Sequence, residues 1–164
     1  MKRLTSSEIR KWLAGQGMHH QPLDCGVPIA GDFILPADPH ARLQLAEHIA
    51  VLLGKDGNQL VEILPVHQPL LHEWELLDRF RASLGDEQSP PSSSPGHLFK
   101  SRDRHEFRRM IELLLGFQNS LPFYIYSAPS HTTLFISGSR LEIWSSKKGL
   151  RNELGRLLAP PQAA

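Results

Sequence analysis

Two periods organise the apolar residues of this chain, one of two residues and one of about 3.6. The shorter is densest over residues 121–146, LPFYIYSAPSHTTLFISGSRLEIWSS, where it predicts three antiparallel strands: Phe123–Ser127, Thr132–Ser137 and Arg140–Ser145. Gly138-Ser139 suits the two-residue loop of a type II′ hairpin, with glycine where φ must be positive. Residues 128–131, with Pro129, form the wider turn before it. The short loop sets Ser137 opposite Arg140, Phe135 opposite Glu142 and Thr133 opposite Trp144, which leaves Leu134, Ile136, Leu141 and Ile143 on the other face. A four-residue first turn adds Tyr124 and Tyr126 to the face of Phe135 and Trp144; a three-residue turn moves them to the aliphatic side. The aromatic-polar face has two readings. Either a layer of helices covers it, or it is a partly open recognition surface, since Tyr and Trp join apolar area to a hydrogen-bonding tip.

The longer period marks helices. Thr5-Ser6-Ser7-Glu8 is a capping box followed by Ile9, Trp12 and Leu13 on one face, and glycines near 15–17 end this short helix. Asp38-Pro39 opens a second, an N-cap carboxylate before a proline whose missing N–H costs nothing there. It carries Leu45, Ala46, Ile49, Leu52 and Leu53 to Gly54. A third spans 70–84, with Leu70, Trp74, Leu77 and Leu84 inward and Phe80 near the edge. Asp103 and Glu106 bracket the start of a fourth with Phe107, Met110, Ile111 and Leu114, ending at Gly116. Ser146 caps a fifth carrying Leu150, Leu154, Leu157 and Leu158 before Pro160-Pro161. Residues 33–35 and 60–64 are short strands, and with the helix between them they suggest a parallel crossover. The segment 86–96, DEQSPPSSSPG, cannot build a core and reads as a flexible loop. The expected architecture is a single α+β domain over residues 1–164: a mixed sheet centred on the C-terminal meander, packed by about five amphipathic helices.

At 164 residues the chain has room for one ordinary core. Its 18 basic and 17 acidic residues nearly balance, so global charge points neither to nucleic acid nor to a membrane surface. One cysteine, Cys25, excludes an internal disulfide framework and suits a reducing cytosol. MKRLTSSEIR has no apolar run behind its basic start, and no stretch approaches the length of a spanning helix. A cytoplasmic protein is expected.

Candidate chemistry is sparse. Lys100, Arg102, Arg104, His105, Arg108 and Arg109 form one basic group, and Arg140, Lys147, Lys148, Arg151 and Arg156 a second. Placed beside the aromatic face they would suit a single strand or RNA loop, although the interleaved Asp103, Glu106, Glu112, Glu142 and Glu153 invite ordinary ion pairs. The nine histidines lack metal-ligand spacing, and surface or capping roles account for them. Cys25 with His131 or His97 is the one nucleophile pair to consider, but Gly26-Val27-Pro28 does not open a helix that would activate the thiol. The carboxylate pairs Glu73/Glu75 and Asp86/Glu87 read as exposed. No metal or cofactor is implied. The leading expectation is a non-catalytic interaction protein (adaptor, inhibitor or immunity-type) that binds a protein partner through Tyr124, Tyr126, Phe135 and Trp144, with Arg140, Arg104 and Arg108 beside them. The alternatives are a nucleic-acid-binding module using residues 100–109 and 140–156, and a small enzyme built on Cys25 or a histidine-bound metal.

Overall fold

In the computed structural model, residues 1–54, 57–64, 71–85, 94–117, 121–145 and 147–158 are described. They form an α+β fold with seven strands in one sheet and five α-helices. The strands are β1 (Lys2–Leu4), β2 (Gly31–Ile34), β3 (Gln59–Ile63), β4 (Gly96–Phe99), β5 (Phe123–Ser127), β6 (Thr132–Ser137) and β7 (Arg140–Ser145). The helices are α1 (Ser6–Gly15), α2 (Pro39–Leu53), α3 (Leu71–Ser83), α4 (Arg104–Gly116) and α5 (Lys148–Leu158). The sheet runs β1-β4-β3-β5-β6-β7-β2 with every ladder antiparallel. None of the helices among the described residues is long and apolar enough to cross a membrane.

The meander has the strands and register that alternation predicts. Ser137 pairs with Arg140 and Thr133 with Trp144, while Ser127 pairs with Thr132 across a four-residue turn. Gly138 has φ +57, as a primed turn requires. The crossover is different. β2 and β3 point the same way but are not neighbours: β2 pairs with β7 at one edge, and β3 lies between β4 and β5. The parallel pairing does not form, because β5, β6 and β7 occupy the space between them. β1 and β4 carry no local signal strong enough to be read from sequence. β1 is three residues, two of them basic, and β4 follows the Ser/Pro stretch, whose last residue, Gly96, belongs to the strand. Residues 86–93 of that stretch, Leu70 and Ser146 lie outside the described residues.

Both faces of the sheet are covered, which is why every position of β3, β4 and β5 is buried. On the aliphatic face, α2 and α4 pack side by side, joined by α3 and α5. Leu45, Ile49, Leu53, Leu77, Phe107, Met110, Ile111, Leu114 and Leu154 meet Val61, Ile63, Phe99, Phe123, Ile125, Leu134, Ile136, Leu141 and Ile143 there. α2 begins where Asp38 accepts a hydrogen bond from the Ala41 amide (2.7 Å), with Pro39 in the first turn. The other face carries α1. Its capping box closes through Glu8 N–H to Thr5 Oγ1 (3.3 Å) and Thr5 N–H to Glu8 Oε2 (2.8 Å). Ile9 and Leu13 pack on Leu4, Leu60 and Leu98. A side chain at Gly96 would not fit beneath them, since its Cβ would lie 2.7 Å from Ile9 Cγ1.

α3 departs from its predicted face. It buries Glu73 and Arg81 along with Leu77 and Phe80, while Trp74 and Leu84 are half-buried. Glu73 is therefore not an exposed carboxylate. Nor is every histidine at the surface. His97 is fully buried on β4, opposite Arg3 of β1 and Val61 of β3, and among the described residues neither ring nitrogen meets a partner with hydrogen-bond geometry. Burial, reinforced by the charges of Arg81 and Arg3, pushes its pKa down to about 3, so the ring is neutral.

Candidate functional site

The aromatic-polar face has the composition alternation predicts, but it is not open. Tyr124, Tyr126 and Trp144 are buried beside Leu60 and Leu98, and Phe135 is half-buried and stacked on Tyr124 at 4.5 Å between ring centroids. The cover is α1 together with the irregular loop that follows it, and not a layer of several helices. Met18 and Val27 pack from this loop onto the aromatic cluster. The partly open recognition surface is thus closed over its centre, because Tyr rings on a central strand are too large an apolar area to leave wet.

What holds the loop down is a buried carboxylate. Glu62 breaks the apolar run of β3 on the aromatic side, and its side chain is almost fully buried. Its Oε1 meets His20 Nε2 at 2.9 Å and accepts from Gln21 Nε2 at 3.3 Å; its Oε2 accepts from the Tyr126 hydroxyl at 2.9 Å. The same hydroxyl accepts from the Gln21 amide at 3.2 Å. Burial first, then the Glu62 charge, raises the Tyr126 pKa far above its ordinary value, so this hydroxyl remains a donor. Further along, Trp144 Nε1 donates to the Val27 carbonyl at 2.9 Å. Gln21 and Tyr126 at one point, and Val27 and Trp144 at the other, clasp the loop to the sheet.

Between the clasped loop and the β6–β7 ends lies a cleft of about 340 Å³, lined by residues that include Met18, His19, Pro28, His131, Thr133 and Trp144. Two non-glycine residues among those described have positive φ, Gln21 (+45°) and His131 (+44°). Gln21 sits in the clasp and His131 in the cleft lining. Backbone in this region is uncommon outside glycine and persists where the surroundings hold it. Ser145 beside the cleft is engaged: its Oγ lies 2.8 Å from Thr132 Oγ1 and accepts from the Lys147 amide at 3.1 Å.

No family model, curated protein or solved structure matches this chain. The reading of the cleft therefore rests on its geometry alone.

The remaining candidates are dispersed. Arg108, half-buried on α4, donates to Glu112 (2.6 Å) one turn on and to Glu47 of α2 (2.9 Å). Arg140 holds Asp32 of β2 with two nitrogens and lies 3.8 Å from Glu142. Arg108–Glu112 is the i,i+4 pair that the sequence invites, whereas Glu47 and Asp32 come from distant parts of the chain. Arg104 is exposed at the start of α4. Cys25 is exposed and its thiol donates to the His20 carbonyl at 3.4 Å, with no imidazole among the described residues in hydrogen-bond reach. His97 cannot serve it, being sealed beneath the helices on the aliphatic face. No group of three His, Cys, Asp or Glu among the described residues is arranged to hold a metal. Glu62 is the residue that sequence reasoning missed. Its signal was a lone carboxylate inside the apolar run Leu60-Val61-Glu62-Ile63-Leu64, which demands a partner wherever that strand is buried.

Proposed function

We propose that the chain is a small, cytoplasmic, non-catalytic interaction protein that receives an apolar side chain of a protein partner in the cleft beside Trp144. The observation that carries this reading is how the polar groups around the cleft are used. Of the lining groups, the Trp144 indole and the Ser145 hydroxyl are engaged in holding the loop and the strand ends, and behind the lining Tyr126, Glu62, Gln21 and Cys25 are engaged in the same way. What remains toward solvent is apolar lining from Met18, Val27 and Pro28, with the imidazoles of His19 and His131 beside it. An apolar pocket with a few polar groups at its margin suits recognition of a side chain. Trp144 is the member of the aromatic cluster that lines the pocket, and Tyr124 stands behind it at 6.5 Å between ring centroids.

Affinity capture from nuclease-treated lysate of the native host tests this with two filling variants, Pro28→Trp and His19→Trp. Both positions are exposed, so each variant should unfold like the wild type. A stoichiometric protein retained by the wild type and lost by both variants is expected. Equal retention by all three would remove the cleft from consideration, and capture abolished by nuclease alone would favour the basic groups instead.

A further inference from the structure

Among the described residues β1 and β2 pair on one side only, and these two edges of the sheet are built differently. β1 is short, and its sequence Lys2-Arg3-Leu4 puts two cations on the edge, a standard defence against stray pairing. β2 has no such guard. Ile34 is 67% exposed, and the one charge on the strand, Asp32, is held by Arg140 of the neighbouring β7. The Leu35 amide donates to the Ser139 carbonyl at 2.7 Å, continuing the register in which Phe33 faces Leu141 and Gly31 faces Ile143. Antiparallel alternation then turns the N–H and C=O of Asp32 and Ile34 outward, away from β7.

We propose that β2 accepts an extended, acidic segment of a partner protein as an additional strand. The backbone groups of Asp32 and Ile34 define the mode, addition of a strand at a sheet edge. The charge comes from α5, which lies against β2. A Cβ at Gly155 would approach the Phe33 ring at 3.3 Å, and Arg151 donates to the Ala30 carbonyl at 3.2 Å. On and just before this helix the sequence carries four cations, Lys147, Lys148, Arg151 and Arg156, and one carboxylate, Glu153. A second copy of the chain pairing β2 to β2 would bring two such basic helices together, whereas an acidic strand is attracted to one. Ala30 lines the cleft and immediately precedes β2, so a segment running along the edge leads into the pocket beside Trp144. The inference rests on the reading of the cleft as a protein-partner site.

The probe is a peptide of alternating valine and glutamate, with its valine–lysine counterpart as control, and the readout is amide hydrogen exchange by NMR. The acidic peptide should slow exchange at Asp32 and Ile34, and added salt should weaken that protection. Ile34→Pro should abolish the protection at Asp32, the amide that remains to be read. Proline at 34 removes an N–H that β7 does not use, so the native ladder survives while the outer edge is blocked. Lys148→Glu with Arg156→Glu should reverse the preference between the two peptides. The inference is overturned if those amides stay unprotected with the acidic peptide, or if both peptides protect equally. It is also overturned if protection appears without peptide and grows with protein concentration, which identifies a second copy as the occupant. Partner capture lost in Pro28→Trp with no peptide protection fails the strand alone; protection with capture intact in Pro28→Trp fails the cleft alone.

Discussion

One route by which acid should destabilise this fold runs through His97. In the folded chain the ring is fully buried between Arg3 and Val61 on the sheet, and burial with the charges of Arg81 and Arg3 lowers its pKa from 6.5 to about 3. Above the unfolded value both states carry a neutral ring, so the contribution to stability is complete. Below it the unfolded chain takes up a proton that the folded chain refuses, and stability falls as pH drops toward about 3. Linkage between those two values gives a loss of about 2 kcal/mol between about pH 7 and about pH 5 from this residue alone. The measurement is urea unfolding followed by tryptophan fluorescence at both pH values, for the wild type and His97→Leu. The other titrating groups are common to both proteins and cancel in the difference. The wild type should lose about 2 kcal/mol more than the variant over that interval. The same pH dependence in both would refute the reasoning, because it would mean that the folded state admits the proton to His97 at little cost.

Tyr126→Phe removes the hydroxyl that donates to Glu62 and accepts from the Gln21 amide, so it should cost about 2–4 kcal/mol in denaturant unfolding. It should also speed proteolysis within residues 17–30, and a variant as stable and as resistant as the wild type would show that the clasp is incidental. Gly96→Ala forces a methyl against Ile9 and Leu4, and about 1–3 kcal/mol of destabilisation is expected; an unchanged midpoint would mean α1 lifts freely from the sheet. Asp38→Ala, which uncaps α2, should cost about 1 kcal/mol. Arg140→Ala, which breaks an exposed ion pair, should cost less than Asp38→Ala in the same assay, and the reverse order would contradict the assignment of Asp38 as a cap.

Local chemistry determined a good part of this protein. The meander with its register, the capping box at Thr5, the start of α2 at Asp38 and the inward stripe of α4 are each set by neighbours a few residues apart, and each is where the sequence places it. Only the tertiary structure decided the rest. β1 and β4 exist because residue 2 meets residue 98 and residue 61 meets residue 97, contacts with no counterpart in local periodicity. β2 joins β7 instead of β3 because a pattern of apolar positions specifies a buried strand but not its neighbour. The candidate site depended most on long-range contacts. Alternation put Tyr124, Tyr126, Phe135 and Trp144 on one face, yet whether that face is wet or dry depends on what packs above it. The answer lies in the contacts of Glu62 with His20, Gln21 and Tyr126, partners 41 to 64 residues away in the chain. A buried carboxylate must be satisfied by something, and the sequence of one strand does not say by what.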